Sequence, residues 1–310
     1  MGEARSGVLV VDKPGGVSSA GAVAEVKRCL RARKTGHAGT LDPMATGVLV
    51  CLVGRATRLA GFLLKGDKGY EAVLRLGEAT DTQDSTGAVV ASGDVGDLDE
   101  ARIRGVFGRY TGTLRQRPPA YSALKHRGVP LYKLARQGRP VQKPARKITI
   151  FALDILDVDL PRVRFQVSCS GGTYIRTLCT DIGAALGCGG HLEALRRTES
   201  SGFDLDRAVT LAQLEAHKQT ETLGQVMISM AESIPEMPVF HADSALAQKI
   251  AVGRPLNRQE MGPVDGAAEA ATFARVIDDS GALLAVLETG DGTQFRYCCV
   301  FARDEVGRGP

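Results

Sequence analysis

The chain has 310 residues, 44% of them hydrophobic and 24% charged, with a formal net charge of +4. That is the profile of a globular protein with room for two domains, and it excludes disordered and fibrous classes. Seven cysteines in irregular spacing argue against a secreted disulfide scaffold. No apolar run approaches the roughly 18 residues of a membrane span, and the N-terminus lacks the apolar stretch of a signal peptide, so a cytoplasmic location is expected.

In chain order, residues 7–11 read as a short buried strand and residues 12–16 as a turn. Ser18 or Ser19 then caps a helix with Val23, Val26 and Leu30 on one face. An apolar run at 48–53 and a helix at 55–64 follow. Residues 70–76 (YEAVLRL) alternate as a half-exposed strand should. Residues 81–87 are a polar loop and 98–110 a helix. Residues 115–147 hold five of the thirteen prolines and read as a long excursion with one short helix near 129–136; such loops are usually functional. Paired strands are expected at 148–159 and 162–169, and helices at 174–186 and 211–216. Residues 235–238 read as a linker. Short alternating stretches at 271–277, 282–287 and 294–301 suggest a small β-rich unit, with a variable loop at 262–270 and a frayed tail at 302–310. Strands with irregularly interspersed helices favour an α+β fold over a doubly wound sheet.

Charge is unevenly placed. Residues 109–147 contain eleven Lys or Arg and no Asp or Glu, and a second cluster is Lys27, Arg28, Arg31, Arg33 and Lys34. Such clusters attract phosphate backbones, although a solvated basic face has the same composition. The densest segment is GHAGTLDPMATGVL at 36–49, where three glycines surround a carboxylate. Pro43 biases Asp42 towards an extended conformation. A rigidly presented Asp42 suits catalysis; an isolated Asp-Pro more commonly caps a turn. There is no phosphate-binding loop and no dinucleotide fingerprint. Cys169, Cys179, Cys188 and His191 lack the close pairing of a zinc site, and the adjacent Cys298 and Cys299 on a strand would point to opposite faces, so no metal is expected. Asp81 and Asp84 read as loop-structuring and Asp181 as a helix-surface residue.

The 36–49 segment closely resembles the catalytic motif of the TruB-type tRNA pseudouridine synthases. Five further segments match in order: VDKPGGVSS at 11–19, KGYEA at 68–72, GEATDTQD at 77–84, QRPPAYSALK at 116–125 and GTYIRTL at 172–178. The resemblance covers roughly residues 7–205. It implies that Asp42 is the catalytic carboxylate, acting either at C1′ or as a base on the sugar, and that Arg176 pairs with it. It implies that Tyr70 stacks on the target base and helps remove the C5 proton. Tyr174 and Leu195 would line the uracil pocket; Leu195 lies in HLEALRR at 191–197, where an ordinary apolar helix position is the alternative. His37 would fill the space left by the flipped base, a locally satisfied neutral histidine being the other reading. Lys125, Arg127, Lys133, Arg136, Arg139 and Arg146 would grip phosphates, which positions RNA without reading bases.

The fold so implied is an α+β pseudouridine-synthase fold, with a mixed, mostly antiparallel sheet and a central cleft. Residues 1–235 would form the catalytic domain with its RNA-binding insertion at about 115–147. Residues 238–301 would form a PUA-like C-terminal domain. The implied activity is cofactor-free isomerisation of uridine to pseudouridine, at position 55 of the tRNA T-arm, with no membrane and no obligatory protein partner. Two other readings stand beside it: a guide-RNA-dependent synthase, and a tRNA-folding chaperone with dispensable catalysis.

Overall fold

The computed structural model describes residues 6–261, 271–289 and 294–301. The variable loop at 262–270 and the tail at 302–310 lie outside the described residues. In chain order the elements are β1 (Gly7–Lys13), α1 (Ser19–Cys29), β2 (Thr35–His37), β3 (Thr46–Val53), α2 (Ala60–Lys65), β4 (Lys68–Leu76), β5 (Glu78–Thr80), β6 (Val89–Ser92), α3 (Glu100–Phe107) and β7 (Gly112–Gln116). There follow β8 (Lys125–His126), β9 (Val129–Pro130), α4 (Leu131–Arg136), β10 (Arg146–Asp159), β11 (Arg162–Cys169), α5 (Ile175–Leu186), β12 (Gly190–Ser200), β13 (Phe203–Asp204), β14 (Val209–Thr210) and α6 (Leu211–Gln219). The last group is β15 (Val239–Ala242), α7 (Ser244–Ala251), β16 (Leu256–Asn257), β17 (Phe273–Asp278), β18 (Leu283–Glu288) and β19 (Gln294–Val300).

Ten strands form one sheet, in the order β14-β1-β3-β12-β4-β11-β10-β7, with β2 paired to β3 and β13 to β12. The β1–β14 and β3–β12 pairs are parallel and the others antiparallel. This is the mixed, mostly antiparallel sheet that the sequence implied. The central strands β1 and β3 are apolar on both faces because both faces are covered. Leu9, Val11, Leu49 and Cys51 pack with α1 and α5 on one side. Val8, Val10, Val48 and Val50 pack on the other. β4 buries Lys68, Tyr70, Ala72, Leu74 and Leu76 on a single face, as its alternation predicted.

The second sheet, β15-β17-β18-β19-β16, is the PUA-like C-terminal part. Leu283, Val286, Cys299 and Phe301 share one apolar cluster with Val8, Val10, Val48 and Val50, and Phe62 meets Phe273 edge-on at 5.2 Å between ring centroids. The C-terminal sheet is therefore packed directly against the back of β1 and β3. Cys298 is exposed and Cys299 buried, on opposite faces of β19 as expected.

Three expectations need correction. The excursion is shorter than 115–147, because Arg115 and Gln116 lie on β7 and Arg146 and Lys147 on β10, directly paired across the ladder. The helix expected at 55–64 divides into a 3₁₀ turn, Gly54–Leu59, and α2. The HLEALRR run is part of the central strand β12 and not a helix. Its Leu, Glu, Ala and Arg are good helix formers, but pairing with β4 along nearly its whole length overrides that preference.

The closest approach in the sheet lies where β3 starts. Gly47 has φ +99°, and a Cβ there would sit 2.1 Å from Arg197 O. Gly47→Ala should lower stability by about 2 kcal/mol or more. Gly61→Ala, in α2 with no atom within 4 Å of the new Cβ, should be neutral or stabilising by about 0.5 kcal/mol. Equal thermal midpoints for the two variants would contradict this packing of β3 against β12.

Candidate active site

Between β2 and β3 the chain makes a tight excursion that presents Asp42, and each of its bends is tied down. Ala38 N–H donates to Val50 O at 2.9 Å, and Ala45 N–H to Asp42 O at 3.1 Å. The Ser19 hydroxyl accepts from Leu41 N–H and donates to Leu41 O, each at 2.8 Å. Lys13 is wholly buried and donates to Pro14 O at 2.8 Å and Val17 O at 2.7 Å, reaching Pro43 O at 3.4 Å. Gly16 N–H donates to Pro43 O at 2.8 Å. Residues 12–16 thus do more than turn the chain; they clamp the segment that carries the carboxylate.

Arg176 approaches from the first turn of α5. Its backbone position is set by Gln116 of β7, whose side chain accepts from Tyr174 N–H at 2.8 Å and donates to Tyr174 O at 2.9 Å. The Arg176 guanidinium is 4% exposed. Its Nε lies 2.8 Å from Asp42 Oδ2 and its Nη2 3.3 Å from Oδ1, the fork geometry that holds a carboxylate by both oxygens. Nη2 also donates to Tyr121 O at 2.7 Å, and Nη1 donates to Thr82 O at 2.9 Å and faces Asp84 Oδ2 at 3.6 Å. One buried cation therefore joins the turn that bears Asp42, the β5–β6 loop and the 117–145 excursion.

Asp84 is where the sequence reading falls short. It does structure its loop, accepting from Thr82 Oγ1, Thr86 N–H and Thr86 Oγ1 at 2.8, 3.0 and 2.6 Å. It also places a second buried carboxylate behind Arg176. The balance on Asp42, whose side chain is 32% exposed, follows from these neighbours. Burial pushes its carboxyl above the ordinary range, Arg176 pulls it back, and Asp84 adds to the upward push.

Asp42 and Arg176 border a cavity of about 340 Å³ that is also lined by Tyr70, Tyr174 and Leu195. Four of the segments matched in the sequence thus bring their residues to one place. Burial pushes the Tyr70 phenol up, so it offers the cavity a neutral ring face and a hydroxyl rather than a standing base. Arg146 departs from expectation: it lines the cavity, lies over the Tyr174 ring at 5.1 Å and donates to Gly172 O, so it is wall rather than outer basic surface. Lys125, Arg127, Lys133, Arg136 and Arg139 are exposed on the excursion. Arg127 sits at the tip of the β8–β9 hairpin with φ +49°. The excursion also closes the cavity, since Ser122, Ala123 and Leu124 line it and Leu131 is buried beneath them.

His37 is outside the cavity lining, on β2. Its Nδ1 is buried without a hydrogen-bond partner, and burial followed by Arg197 pushes its pKa down, so it is a neutral ring. The local-hydrogen-bond alternative raised for His37 is therefore not what this nitrogen shows. Two cavity residues, Lys68 and Arg197, stood inside matched segments without being singled out; nothing in composition or spacing marks them. Among the described residues no group of three or more His, Cys, Asp or Glu side chains is arranged to hold a metal ion, and no helix is long and apolar enough to cross a membrane.

Comparison with known proteins identifies the family. A family model described as TruB family pseudouridylate synthase, N-terminal domain, matches residues 27–175, and one for the tRNA pseudouridylate synthase B C-terminal domain matches residues 176–234. A tRNA pseudouridine synthase B of Syntrophotalea carbinolica is 48% identical over 81% of this chain and 81% of that protein. Its counterpart in Cupriavidus metallidurans is 43% identical over 92% of this chain and 91% of that protein. The solved archaeal box H/ACA sRNP Nop10–Cbf5 complex contains a chain that is 25% identical, with a TM-score of 0.73, covering 96% of this chain and 85% of that one. Matched in sequence and fold along most of its length, the chain belongs to the TruB family of pseudouridylate synthases.

Proposed function

We propose that this protein isomerises uridine to pseudouridine in tRNA, at position 55 of the T-arm, and that it does so alone on bare tRNA in the cytoplasm. The observation that carries the reading is the Asp42–Arg176 pair at the edge of a cavity walled by Tyr70, Tyr174 and Leu195. Breaking and remaking a glycosidic bond needs an ionised carboxylate held in a fixed direction beside a space for the base. In this proposal Asp42 acts on the sugar, Arg176 orients it, Tyr70 and Tyr174 hold the ring, and Leu195 bounds it on the β12 side. A uridine in a folded arm must leave its stack to reach such a cavity, at a cost of a few kcal/mol offset by stacking and backbone contacts. His37 fills the vacated space as a neutral ring. Lys125, Arg127, Lys133, Arg136 and Arg139 contact phosphates, and residues 1–235 form the catalytic domain ahead of a PUA-like 238–301.

A guide-dependent mode is the second reading, because a solved match at 25% identity is part of an archaeal box H/ACA sRNP complex. The stand-alone reading is supported by the higher identity, 43–48%, to proteins named tRNA pseudouridine synthase B. It is supported also by the basic excursion over the cavity mouth.

Tritium release from purified, unmodified tRNA labelled at uridine C5 tests both points. Wild-type protein should release the label of one uridine per tRNA and Asp42→Asn none. No release by well-folded wild type from bare tRNA would defeat the stand-alone reading.

The pH dependence follows from the charges around Asp42. Activity needs the ionised carboxylate, so the rate should rise with pH through an acid limb lying above the ordinary aspartate value of about 3.9. Asp84 pushes that pKa up; Asp84→Asn should therefore move the acid limb to lower pH. A limb that stays in place or moves upward would contradict the proximity of the two carboxylates.

A further inference from the structure

The wall of the cavity away from Arg176 holds two more cations. Arg197 of β12 is 1% exposed and Lys68 of β4 is 6% exposed. Both lack an acidic partner within 4 Å among the described residues, unlike Arg176. Arg197 Nε donates to Val48 O at 2.7 Å and its Nη2 to Gly39 O at 3.1 Å. Lys68 Nζ donates to Leu64 O at 3.1 Å and Gly66 O at 2.5 Å. The two converge at Gly39, which has φ +108° and where a Cβ would lie 3.5 Å from both Arg197 Nη1 and Lys68 Cε. Buried charge is normally paired, because desolvation is costly. Here two like charges are brought together under a cavity, with backbone carbonyls and the Tyr70 hydroxyl for neighbours and no carboxylate within 4 Å among the described residues.

We propose that Lys68 and Arg197 form a cationic floor that stabilises the detached uracil as an anion. The inference rests on the isomerase reading above and adds what holds the base between bond cleavage and reattachment. When N1–C1′ breaks, its electron pair leaves with N1, and the negative charge spreads over N1, O2 and O4. When the ring has turned, C5 supplies the electron pair that bonds to C1′. The C5 proton then leaves and N1 takes up one proton, so the composition is unchanged. Throughout the interval the base is negative, and Asp42 and Asp84 are the nearby carboxylates. A neutral cavity would favour recombination at N1 or loss of the base. A fixed positive wall, formed before the reaction and needing no reorganisation, lowers the energy of that charged state.

The surroundings of Lys68 fit this role. Burial and then Arg197 push its pKa down to about 8, with Asp67 and the Cys169 thiol opposing. The Cys169 thiol is itself pushed up to about 11 and stays neutral, and Asp67 is exposed to solvent. Lys68 is thus charged at neutral pH and loses its charge a little above it.

The test compares tRNA affinity and the single-turnover rate of N1–C1′ cleavage, a step that precedes any loss of the C5 substituent, for wild type, Lys68→Met and Lys68→Arg. The substrates are bare tRNA carrying uridine or 5-fluorouridine at the target position, in mildly acidic buffer where N3 of both bases is protonated. Fluorine makes the departing base a weaker anion to stabilise. Lys68→Met should cleave N1–C1′ of uridine tRNA about a hundredfold more slowly, the scale of removing one stabilising donor, with unchanged affinity. Its defect on the fluorinated tRNA should be smaller. Wild type should lose rate on uridine tRNA as pH rises past about 8, where Lys68 gives up its proton, and Lys68→Arg should keep most of the rate and abolish that fall. Equal slowing on both substrates, or a loss of affinity with no loss of turnover, would overturn the proposal; the latter would make the pair a phosphate contact. Should Lys68→Met fail to fold, an alkaline limb that persists in Lys68→Arg would overturn it alone. Failure of the isomerase reading itself would show separately, as wild type inactive on uridine tRNA.

Discussion

A single buried guanidinium organises this active site. Arg176 lies at the start of α5 and bonds four things distant in sequence: the Asp42 carboxylate, the Thr82 carbonyl, the Tyr121 carbonyl and, at longer range, Asp84. Burying a cation is tolerable only when its donors are matched by acceptors, and every arm of this one is. The constraint runs both ways. Asp42 is orientated by a partner that cannot rotate away, and the excursion over the cavity is held in place by a backbone carbonyl on that same partner. Remote parts of the fold serve this contact: Gln116 fixes the backbone before Arg176, and Ser19 and Lys13 fix the turn before and after Asp42, at Leu41 and Pro43.

The charges around the site divide into two groups with opposite consequences. On one side Arg176 sits between two carboxylates, and Asp42 ends above its ordinary pKa because burial and Asp84 together outweigh the guanidinium. On the other side Lys68 and Arg197 have carbonyls for company and no acid. For the proposed isomerisation, a cavity with carboxylates at one end and a basic wall at the other would suit moving negative charge from a bond to a ring and back. The tight packing of Gly47 against the Arg197 backbone and the Arg197 hydrogen bond to Gly39 O keep that basic wall close to the turn that bears Asp42.

The residues that meet at the cavity were named mainly from matched segments, and those segments are recognisable because they are local and conformationally marked. Glycines and Pro43 crowd around Asp42, Arg176 follows a Gly-Gly turn into a helix, and Tyr70 falls on the buried face of a strand whose alternation is plain. What was not legible depends on tertiary placement. Asp84 structures its own loop by the contacts that its neighbours suggest, and only the docking of α5 reveals its second role. The 191–197 run has helix-forming residues, yet it is clamped between β3 and β4 as a strand. Arg146 belongs by composition to the basic excursion, but β10 begins with it and turns it onto Tyr174. The linker at 235–238 suggested a separate unit, whereas the apolar cluster behind β1 and β3 continues directly into β18 and β19. Alternation within each strand foretold that a face was buried, not against what.

The claim on which this account turns is that Arg176 holds Asp42 through planar, multiple donors and not through charge alone. The most direct measurement is single-turnover C5 tritium release by Arg176→Lys, with tRNA affinity measured on the same protein. A lysine keeps the charge but has no planar fork with which to meet both oxygens of Asp42 together with Thr82 O and Tyr121 O. The account predicts a loss of turnover of about a hundredfold or more with tRNA affinity nearly unchanged. Turnover close to wild type would contradict it, and would mean that a positive charge near Asp42 is sufficient.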